Sequence, residues 1–431
     1  MCRALGVTGP HLPSGDREAM IRLQIHKFGC LEEADLTVSQ LTVVIGPQAS
    51  GKSVVAKLLH FFNEIITRTI DGAQREDRKT FLRGVEDRFV EQFPATAWGG
   101  RRFTIQFEAG LFAFEIARNR SERFRVTITA NDHFNLYYDR LSADFTQIKA
   151  TLTDTEAHRI AAFDKLWPIR EREEDALSRE MGADYVRYQI FVPAGRSFFT
   201  TLGKTAVALG SSVVTDSITQ RFGRFITSMR DDTFAMPEDV LNPVQAAEIL
   251  GGRVVKEGDR EFLKSDDGRT IPLSLMSSGQ QEFYPLQVAL GYASYLSSHG
   301  STIFIEEPEA HLFPSAQSKL IDLLVDTLGG APLSRKMFIT THSPYCLSKL
   351  NNLLRAGALA QQRPDLIDEI SNVVERQRWL TTDSLSAYAI DNGVLKPLLD
   401  EDGLIDTNYI DSISSELADQ FGALIDLEFA G

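Results

Sequence analysis

The sequence predicts an α/β fold with a parallel sheet, an antiparallel β-meander and an inserted, mostly helical subdomain. The apolar run LTVVI (residues 41–45) precedes a small-residue turn and a helical pattern, which is typical of a buried strand that leads into a helix. Residues 101–129 hold three short segments of alternating polarity, which predict the meander. From residue 280 onward helical and strand patterns alternate, which favours parallel strands joined by crossover helices.

Length, charge and cysteine content narrow the class of protein. The 431 residues, 43% of them hydrophobic, suffice for a large core. Lys and Arg number 45 against 59 Asp and Glu, and the formal net charge of −14 argues against general coating of nucleic acid. Three widely separated cysteines match neither a disulfide framework nor a metal site, so we expect a reduced, cytoplasmic compartment. No apolar stretch approaches the roughly 18 residues of a membrane span.

The pattern along the chain predicts five parts. Residues 1–19 lack the apolar core of a secretory signal and are expected to be a flexible leader, with Met20 as an alternative start. A first lobe (20–150) holds the initial strands, helices at 54–66 and 78–93, and the meander. A helical insertion (151–250) contains a charge-rich stretch, 152–186, that is expected to be an exposed arm. A second lobe (251–355) begins with a hairpin turned at Asp-Asp-Gly, and residues 356–431 are expected to form a helical tail.

A phosphate loop follows the first buried strand. The stretch GPQASGKS fits the pattern G-x-x-x-x-G-K-S and consists of Gly46, Pro47, Gln48, Ala49, Ser50, Gly51, Lys52 and Ser53. Backbone N–H groups of such a loop, with the positive end of the following helix, can surround phosphates. We predict that Lys52 reaches the β- and γ-phosphates of a nucleotide and that the Ser53 hydroxyl binds Mg²⁺.

Two carboxylates stand where a later apolar strand ends. The stretch TIFIEEPEAHLFP (302–314) places Glu306 and Glu307 at this end. A magnesium–nucleotide site needs one acid for the metal, and hydrolysis needs another for the attacking water. We therefore predict that Glu306 binds the metal and that Glu307 acts on the water. The alternative is a solvated acidic turn after a core strand. The phosphate loop in the same chain favours the functional interpretation over this alternative.

Two further segments place polar groups at the ends of elements. The stretch LMSSGQQEF (275–283) puts Ser277, Ser278, Gly279 and Gln280 before a helix. These residues form either a simple helix cap or a second phosphate-binding helix end that serves a nucleotide held by another subunit. The stretch KMFITTHSPYCL (336–347) ends a strand at His342, which is either structural or a contact for a γ-phosphate. We expect His311 to be structural.

In this order the four segments resemble the ATP-binding-cassette (ABC) type ATPase head of the RecF, SMC and OLD families. EEPEAHLFP and THSP look most like the compact OLD-like, AAA-labelled ATPases of bacterial anti-phage defence systems, such as the ATPase subunits of PARIS and Septu type. The stretch FVPAGRS (191–197), with Arg196, and the ending at 402–428 also resemble those proteins. The resemblance covers about residues 20–428 and implies a P-loop NTPase fold of ABC-ATPase type.

The resemblance also implies a set of roles. It implies ATP as the nucleotide, Mg²⁺ as the metal, and an ATPase whose catalytic residues are Lys52, Glu307 and His342. It implies that the signature segment (277–280) serves a nucleotide on a second copy, and hence a homodimer or a higher homo-oligomer. Two positions depart from the pattern, because Glu306 stands where Asp is usual and the signature segment lacks its first glycine. For the glutamine that usually approaches the metal, Gln189 is the candidate.

Several functions are compatible with such a head. We predict an ATP-hydrolysing switch that regulates a separate effector, a nuclease or a toxin, in antiviral defence. A nuclease of OLD type would need a TOPRIM domain, for which the roughly 90 residues after His342 are too few. A DNA-binding repair head of RecF or SMC kind stays open, although the roughly 220 residues between Ser53 and Ser277 leave no room for a long coiled coil. The same large insertion argues against a transporter cassette.

An arginine-rich surface on the meander is compatible with nucleic acid as a partner. Its arginines outnumber the carboxylates of Glu108, Glu115 and Glu122, and they are Arg101, Arg102, Arg118, Arg120, Arg123 and Arg125. This surface is either a solvated sheet face or a docking surface for nucleic acid or an acidic partner. A steep fall of affinity with salt would identify nucleic acid.

Overall fold

A computed structural model gives the fold for residues 20–118, 125–150, 157–202, 216–230, 240, 243–258, 260–295, 300–329, 335–406, 418–425 and 428, with the backbone alone over 157–165 and at 202. Its strands are β1 (Ile21–Phe28), β2 (Leu31–Val38), β3 (Leu41–Ile45), β4 (Phe103–Ala109), β5 (Phe112–Arg118), β6 (Thr127–Ala130), β7 (Tyr188–Val192), β8 (Gly252–Glu257), β9 (Arg260–Ser265), β10 (Thr270–Pro272), β11 (Ser301–Glu306), β12 (Arg335–Thr341), β13 (Leu385–Asp391) and β14 (Val394–Pro397). Its helices are α1 (Lys52–Arg75), α2 (Arg78–Gln92), α3 (Asp132–Lys149), α4 (Ala157–Met181), α5 (Ser197–Leu202), α6 (Ser217–Arg230), α7 (Val244–Leu250), α8 (Ser278–Tyr295), α9 (Pro314–Gly329), α10 (Pro344–Gln362) and α11 (Ile367–Val373).

One sheet of 11 strands runs through the molecule in the order β6-β5-β4-β1-β2-β14-β13-β3-β12-β11-β7. Strands β7, β11, β12, β3 and β13 are parallel, whereas β2, β1, β4, β5 and β6 pair in antiparallel fashion. Every residue of β3, β11 and β12 is buried, as expected for strands covered on both faces. The predicted α/β fold with a parallel sheet and an antiparallel meander is confirmed.

Two hydrophobic cores cover the two faces of this sheet. Adjacent residues of β3 point into different cores, because Val44 packs with α1 to α4 and Val43 packs with helices α8 to α10. Strand β11 divides in the same way, with Phe304 on the first side and Ile303 on the second. Helix α1 starts at the end of β3 and contributes many apolar side chains to the first core, among them Val55, Leu58, Leu59, Phe62 and Ile66.

The two halves of the sheet meet at the turn between β13 and β14. Strand β14 pairs with β2 only at Val394 and Glu33. The carbonyl of Gly393 accepts hydrogen bonds from the backbone N–H groups of Glu32 (2.8 Å) and Glu33 (3.2 Å). Gly393 has a φ of 79°, and a Cβ there would lie 2.7 Å from the Cys30 carbonyl oxygen, so the turn requires glycine. The Gly393 carbonyl, together with the Tyr388 hydroxyl that bonds to Thr37 of β2, therefore connects the meander to the parallel half of the sheet.

Two predictions about the last part of the chain need correction. The segment 356–431 is not a helical tail, because it supplies β13 and β14, and β13 pairs in parallel with β3 along five residues. The expected hairpin at 251–273 is a three-stranded sheet of β8, β9 and β10, and Asp-Asp-Gly turns its second hairpin. Most of 407–431 lies outside the described residues, as does the expected leader 1–19.

The charge-rich segment 152–186 is largely helical, as predicted, but it is not an exposed arm. Helix α4 buries Leu166, Ile169, Leu177 and Met181 in the first core. Its buried Glu173 pairs with Arg140 of α3 at 2.7 Å. The first helix is also longer than the predicted 54–66, since α1 continues to residue 75. Within the described part of the chain, no helix combines the length and the apolar character that crossing a membrane demands.

Candidate nucleotide site

The carboxyl ends of four parallel strands bring the predicted site residues to one edge of the sheet. The phosphate loop (46–53) follows β3, the acidic turn (306–309) ends β11, His342 follows β12, and the segment 193–196 follows β7. Strand β12 lies between β3 and β11, so His342 stands between the loop and the acidic turn. Ligands of open α/β sheets bind at such an edge.

The phosphate loop leaves the amino end of α1 free for an anion. Gly51 precedes α1 with a left-handed φ of 109°, no side chain caps the helix, and no acidic residue lies in its first turn. Four N–H groups at the start of any helix lack partners within the helix. A Cβ at Gly51 would lie 2.7 Å from Leu31 Cδ2, and one at Gly46 would lie 2.9 Å from the Ile390 carbonyl oxygen. The loop thus packs closely on its neighbours. The Ser50 N–H donates to the Pro47 carbonyl at 3.4 Å, whereas the N–H groups at the start of α1 are available.

Lys52 lies over the phosphate loop. Its ammonium donates to the carbonyl oxygens of Gly46 (2.7 Å) and Pro47 (2.8 Å), and only 5% of the residue is exposed. Burial lowers the pKa of this ammonium, and the carboxylates of Glu307, Glu309 and Glu306 oppose that shift. The carboxylates thus favour the charged form of the ammonium, which can bind phosphate oxygens.

Glu307 and His342 are in direct contact. Their side chains approach to 2.8 Å between Glu307 Oε1 and His342 Nε2, and each remains partly exposed. This hydrogen bond lowers the pKa of the Glu307 carboxyl, burial raises it, and the charges of Lys52 and Arg196 lower it further. The carboxylate is therefore ionised at neutral pH and can act as a proton acceptor.

The acidic turn is strained at Glu307. Its φ of 44° is left-handed, a conformation that typically costs a non-glycine residue about 1–3 kcal/mol. A left-handed conformation of this kind persists only where neighbouring contacts stabilise it. Here the left-handed backbone of Glu307 directly follows the end of β11, and the Glu307 side chain lies beside His342.

Glu306 is suited to a cation. It is 6% exposed, its Oε2 accepts a hydrogen bond from the Ala194 N–H at 3.2 Å, and its Oε1 is buried without a hydrogen-bond partner. A buried, unsatisfied carboxylate oxygen is costly unless a ligand engages it. The Ser53 residue on the first turn of α1 is exposed. These two residues fit the hard, oxygen-preferring Mg²⁺ that the sequence predicts.

Gln189 is not positioned to approach a metal at this edge. It pairs in β7 with Thr302, four residues before Glu306, and its amide donates to the His60 carbonyl at 3.0 Å. It therefore lies inside the sheet rather than at its carboxyl edge. Glu306 is instead contacted by the backbone N–H of Ala194, two residues after this strand ends.

Glu309 is a buried residue to which the sequence interpretation gave no role. Its Oε1 accepts hydrogen bonds from the Thr341 hydroxyl (2.7 Å) and the His342 N–H (2.8 Å). Ser343 then caps α10 by accepting from the Cys346 N–H. The signal in the sequence was a third glutamate after Glu306 and Glu307, but its partners lie more than 30 residues away in the chain.

Arg196 was noted only as part of a resemblance, yet it is fully buried at the centre of the site. Its guanidinium donates to backbone carbonyls of three separate segments. Burial lowers the pKa of this group, and the nearby carboxylates oppose the shift, Glu282 most strongly. Glu282 belongs to α8, directly after the signature segment.

The signature segment forms a helix cap and packs against the acidic turn. Ser277 N donates to Gln280 Oε1 at 2.9 Å, and Gln280 N approaches Ser277 Oγ at 3.4 Å, which is a reciprocal capping arrangement. A Cβ at Gly279 would lie 2.6 Å from the His311 carbonyl oxygen, so glycine permits this packing. Ser277 and Ser278 are exposed. No hydrogen bond among the described residues joins this segment to the phosphate loop of the same chain.

Two described members of the arginine-rich surface are engaged within the chain, and Arg102 and Arg125 are exposed. Arg101 pairs with Glu32 at 2.5 Å, and Arg118 donates to the Gly99 carbonyl and lies over the Trp98 ring at 5.5 Å. Two of its members, Arg120 and Arg123, lie outside the described residues. Several outward side chains of the neighbouring strands carry negative charge, namely Glu33, Asp35, Glu108 and Glu115.

One family model matches most of the chain. It covers residues 41–348 and is described as "AAA domain, putative AbiEii toxin, Type IV TA system". The match includes the phosphate loop, the signature segment, the acidic turn and His342. The resemblance to an ATPase head expected from these motifs is thereby confirmed. No curated protein matches the chain.

Several solved structures are similar in overall fold. One is the SMC head domain from Thermotoga maritima, with 12% identity and a TM-score of 0.39 over 88% of this chain and 98% of that chain. A second is an Smc head bound to the C-terminal winged-helix domain of ScpA, with 9% identity and a TM-score of 0.41 over 88% and 96%. A third is an Smc head with an extended coiled coil, bound to the C-terminal domain of ScpA and derived from Pyrococcus furiosus, with 11% identity and a TM-score of 0.40 over 93% and 99%. At such low similarity, the partners in these titles are properties of those proteins.

Proposed function

The chain belongs to the AAA-domain family described as a putative AbiEii toxin of type IV toxin–antitoxin systems, and on that premise we propose that it is an ATP-hydrolysing switch. Two copies enclose Mg-ATP, hydrolyse it, and regulate a separate effector protein through the change of state. The observation that carries this proposal is the contact of Glu307 with His342, at the sheet edge that also holds Lys52 on an uncapped helix.

Nucleotide binding would use the phosphate loop. The free N–H groups at the start of α1 face the phosphates, and the Lys52 ammonium exchanges the carbonyls of Gly46 and Pro47 for phosphate oxygens. Charge-assisted hydrogen bonds to phosphate are stronger than those to a neutral carbonyl, so this exchange favours binding.

Hydrolysis would use Glu307 as the proton acceptor. Its carboxylate is ionised, partly exposed and in contact with His342, and these properties suit a group that takes a proton from water attacking the γ-phosphorus. His342, beside this carboxylate, would contact the γ-phosphate. Ser53 and Glu306 would hold Mg²⁺, which when bound neutralises charge on the β- and γ-phosphates.

The second copy would complete the site. Ser277 and Ser278 are exposed at the amino end of α8, a helix of 18 residues, and this end serves no phosphate loop of its own chain in the described structure. A head-to-tail dimer brings it to the nucleotide of the partner. The site of each copy is then incomplete until ATP joins the two.

Glu307→Gln tests the switch directly. The amide keeps the shape of the side chain but takes no proton, so we expect Mg-ATP to double the mass of this variant stably, while hydrolysis stops. Mass is measured by light scattering and hydrolysis by phosphate release. Glu306→Gln is the control, and if it alone traps the dimer while Glu307→Gln turns over, the two acids have exchanged roles.

A second substitution separates dimerisation from binding. In the Glu307→Gln background, Ser278→Arg adds bulk and charge to the exposed end of α8, and we expect ATP to bind without doubling the mass. Thr104→Arg, on the exposed side of β4, is the matched control and should dimerise normally. A Ser278→Arg variant whose mass ATP doubles as it does that of its Glu307→Gln parent would contradict the head-to-tail arrangement.

The effector is proposed to be a nuclease or a toxin in antiviral defence, in the cytoplasm. Support comes from the motifs shared with defence ATPases and from the free thiols of Cys30 and Cys346, which suit a reducing compartment. A ligand shifts a conformational equilibrium only through its different affinities for the two states, so the effector must distinguish the ATP-bound dimer from the free chain.

A further inference from the structure

We propose that Arg196 is a positioning residue that holds the acidic turn in its strained conformation and couples it to the signature helix α8. This inference deepens the proposed function and rests on it for its kinetic consequence. The structural part, which concerns the turn alone, is independent of turnover.

Every donor of the Arg196 guanidinium is used. Nε donates to the Glu282 carbonyl at 2.8 Å. Nη1 donates to the carbonyls of Pro193 at 3.2 Å and Glu306 at 2.9 Å. Nη2 donates to the carbonyls of Glu307 and Pro308, both at 3.2 Å. An arginine has five N–H donors, and here all of them go to backbone carbonyls.

Three of these carbonyls are consecutive and include the strained residue. They belong to residues 306, 307 and 308, and Glu307 between them has the left-handed φ of 44°. A planar fork that binds three successive carbonyls fixes the direction of each peptide plane. The guanidinium therefore supplies the surroundings that a left-handed glutamate requires. Through this turn it also fixes the 2.8 Å contact between Glu307 and His342.

Glu282 makes the link to α8. Its Oε2 accepts from the Arg196 backbone N–H at 3.1 Å and lies 3.8 Å from Arg196 Nε. Both side chains are buried, and an unpaired buried charge is strongly unfavourable, so the two move together. A displacement of α8 by the second copy is thus transmitted through one ion pair to the catalytic carboxylate.

The chain contains a matched control for this role. Arg335, at the start of β12, is also buried and donates to the carbonyls of Thr327 (2.6 Å) and Ala293 (2.9 Å), at the opposite end of the sheet from the site. Lysine has three donors and no planar fork, so Arg→Lys removes the same geometry at either position. Only Arg196 contacts the acidic turn.

The test compares Arg196→Lys with Arg335→Lys. Both variants should lose thermal stability. We expect kcat of Arg196→Lys to fall roughly 10- to 100-fold, because small misplacements of a catalytic group have effects of this size, with KM for ATP and binding of a fluorescent ATP analogue unchanged. Arg335→Lys should keep kcat per folded molecule. A kcat of Arg196→Lys within about twofold of that of Arg335→Lys would overturn the proposal.

Crystal structures of the same variants decide the structural part without turnover. In Arg196→Lys we expect Glu307 to leave the left-handed region and its contact with His342 to be lost; an unchanged turn overturns the inference even if kcat falls. If the wild type hydrolyses no ATP, the proposed function fails, and this structure still decides the role of Arg196.

If circular dichroism shows that Arg196→Lys does not fold, Glu282→Gln replaces it. This variant should lower kcat at unchanged ATP affinity, and a normal kcat would overturn the coupling to α8.

Discussion

Lys52 shows at the scale of one residue how the loop prepares a cation for phosphate. The ammonium is buried and is satisfied by two loop carbonyls, so the charge is already desolvated. Burial lowers its pKa, and three acids limit that shift. A ligand with several negative oxygens can then replace two neutral acceptors with charged ones.

Lys52→Ala should remove this contribution. Hydrogen bonds to charged groups are worth about 1.5–3 kcal/mol, so we expect affinity for Mg-ATP to fall roughly 10- to 100-fold and hydrolysis to stop. The measurement is titration with a fluorescent ATP analogue together with phosphate release. Lys57→Ala is the matched control on the same helix, since Lys57 makes only a surface pair with Asp216 at 3.3 Å. Wild-type hydrolysis in Lys52→Ala would show that the nucleotide lies elsewhere.

The β13–β14 hairpin is the element that joins the two halves of the sheet. Its turn places the Gly393 carbonyl against two N–H groups of β2, and β13 lies beside the strand of the phosphate loop. The hairpin therefore fixes the meander relative to the nucleotide site.

Gly393→Ala should destabilise this junction. The substitution adds a Cβ at a φ of 79° and 2.7 Å from the Cys30 carbonyl oxygen. Gly268→Ala, at a φ of 87° with nothing within 4 Å, is the control that adds backbone strain without a clash. Strain alone costs about 1–3 kcal/mol, so both variants should lose that much free energy of unfolding and Gly393→Ala should lose more. Equal denaturation midpoints for the two variants would show that the junction tolerates the side chain.

The same hairpin shows why sequence patterns predicted some elements and missed others. The phosphate loop and the acidic turn were predictable because their residues are adjacent in the chain and their pattern is local. Strand β13, LSAYAID, contains two alanines and an aspartate, residues that are depleted in strands, and its pairing with β3 and β14 makes it a strand. Arg196 was missed as a site residue for a related reason, since its carbonyl partners at 306–308 lie 110 to 112 residues away.

At the scale of the whole molecule, the proposed nucleotide site lies at the edge of a sheet of 11 strands that also supports a large hydrophobic core. Three of the predicted catalytic groups meet at one sheet edge, and α1 packs with helices α2 to α4 and the meander in the first core.

Co-purification from the native host tests whether the proposed effector exists. Tagged Glu307→Gln should hold the ATP-bound state, whereas Lys52→Ala should not reach it, so the product of a neighbouring gene is expected in unequal amounts with the two variants. Mass spectrometry of the purified complexes gives the ratio. If both variants purify alone and the pure wild-type chain cleaves DNA or RNA unaided, the effector activity lies within this chain.

The continuous sheet has a practical consequence for work with shortened chains. The family match ends at residue 348, but β13 at 385–391 pairs with every residue of β3 from Leu41 to Ile45. A fragment trimmed to the matched region would also lose β1 and β2, and β3 would become a bare sheet edge of apolar residues directly before the phosphate loop. Unprotected edges of this kind recruit other strands and promote aggregation. Aggregation of such a fragment would result from the unpaired backbone N–H and C=O groups of β3 rather than from a defect in nucleotide binding.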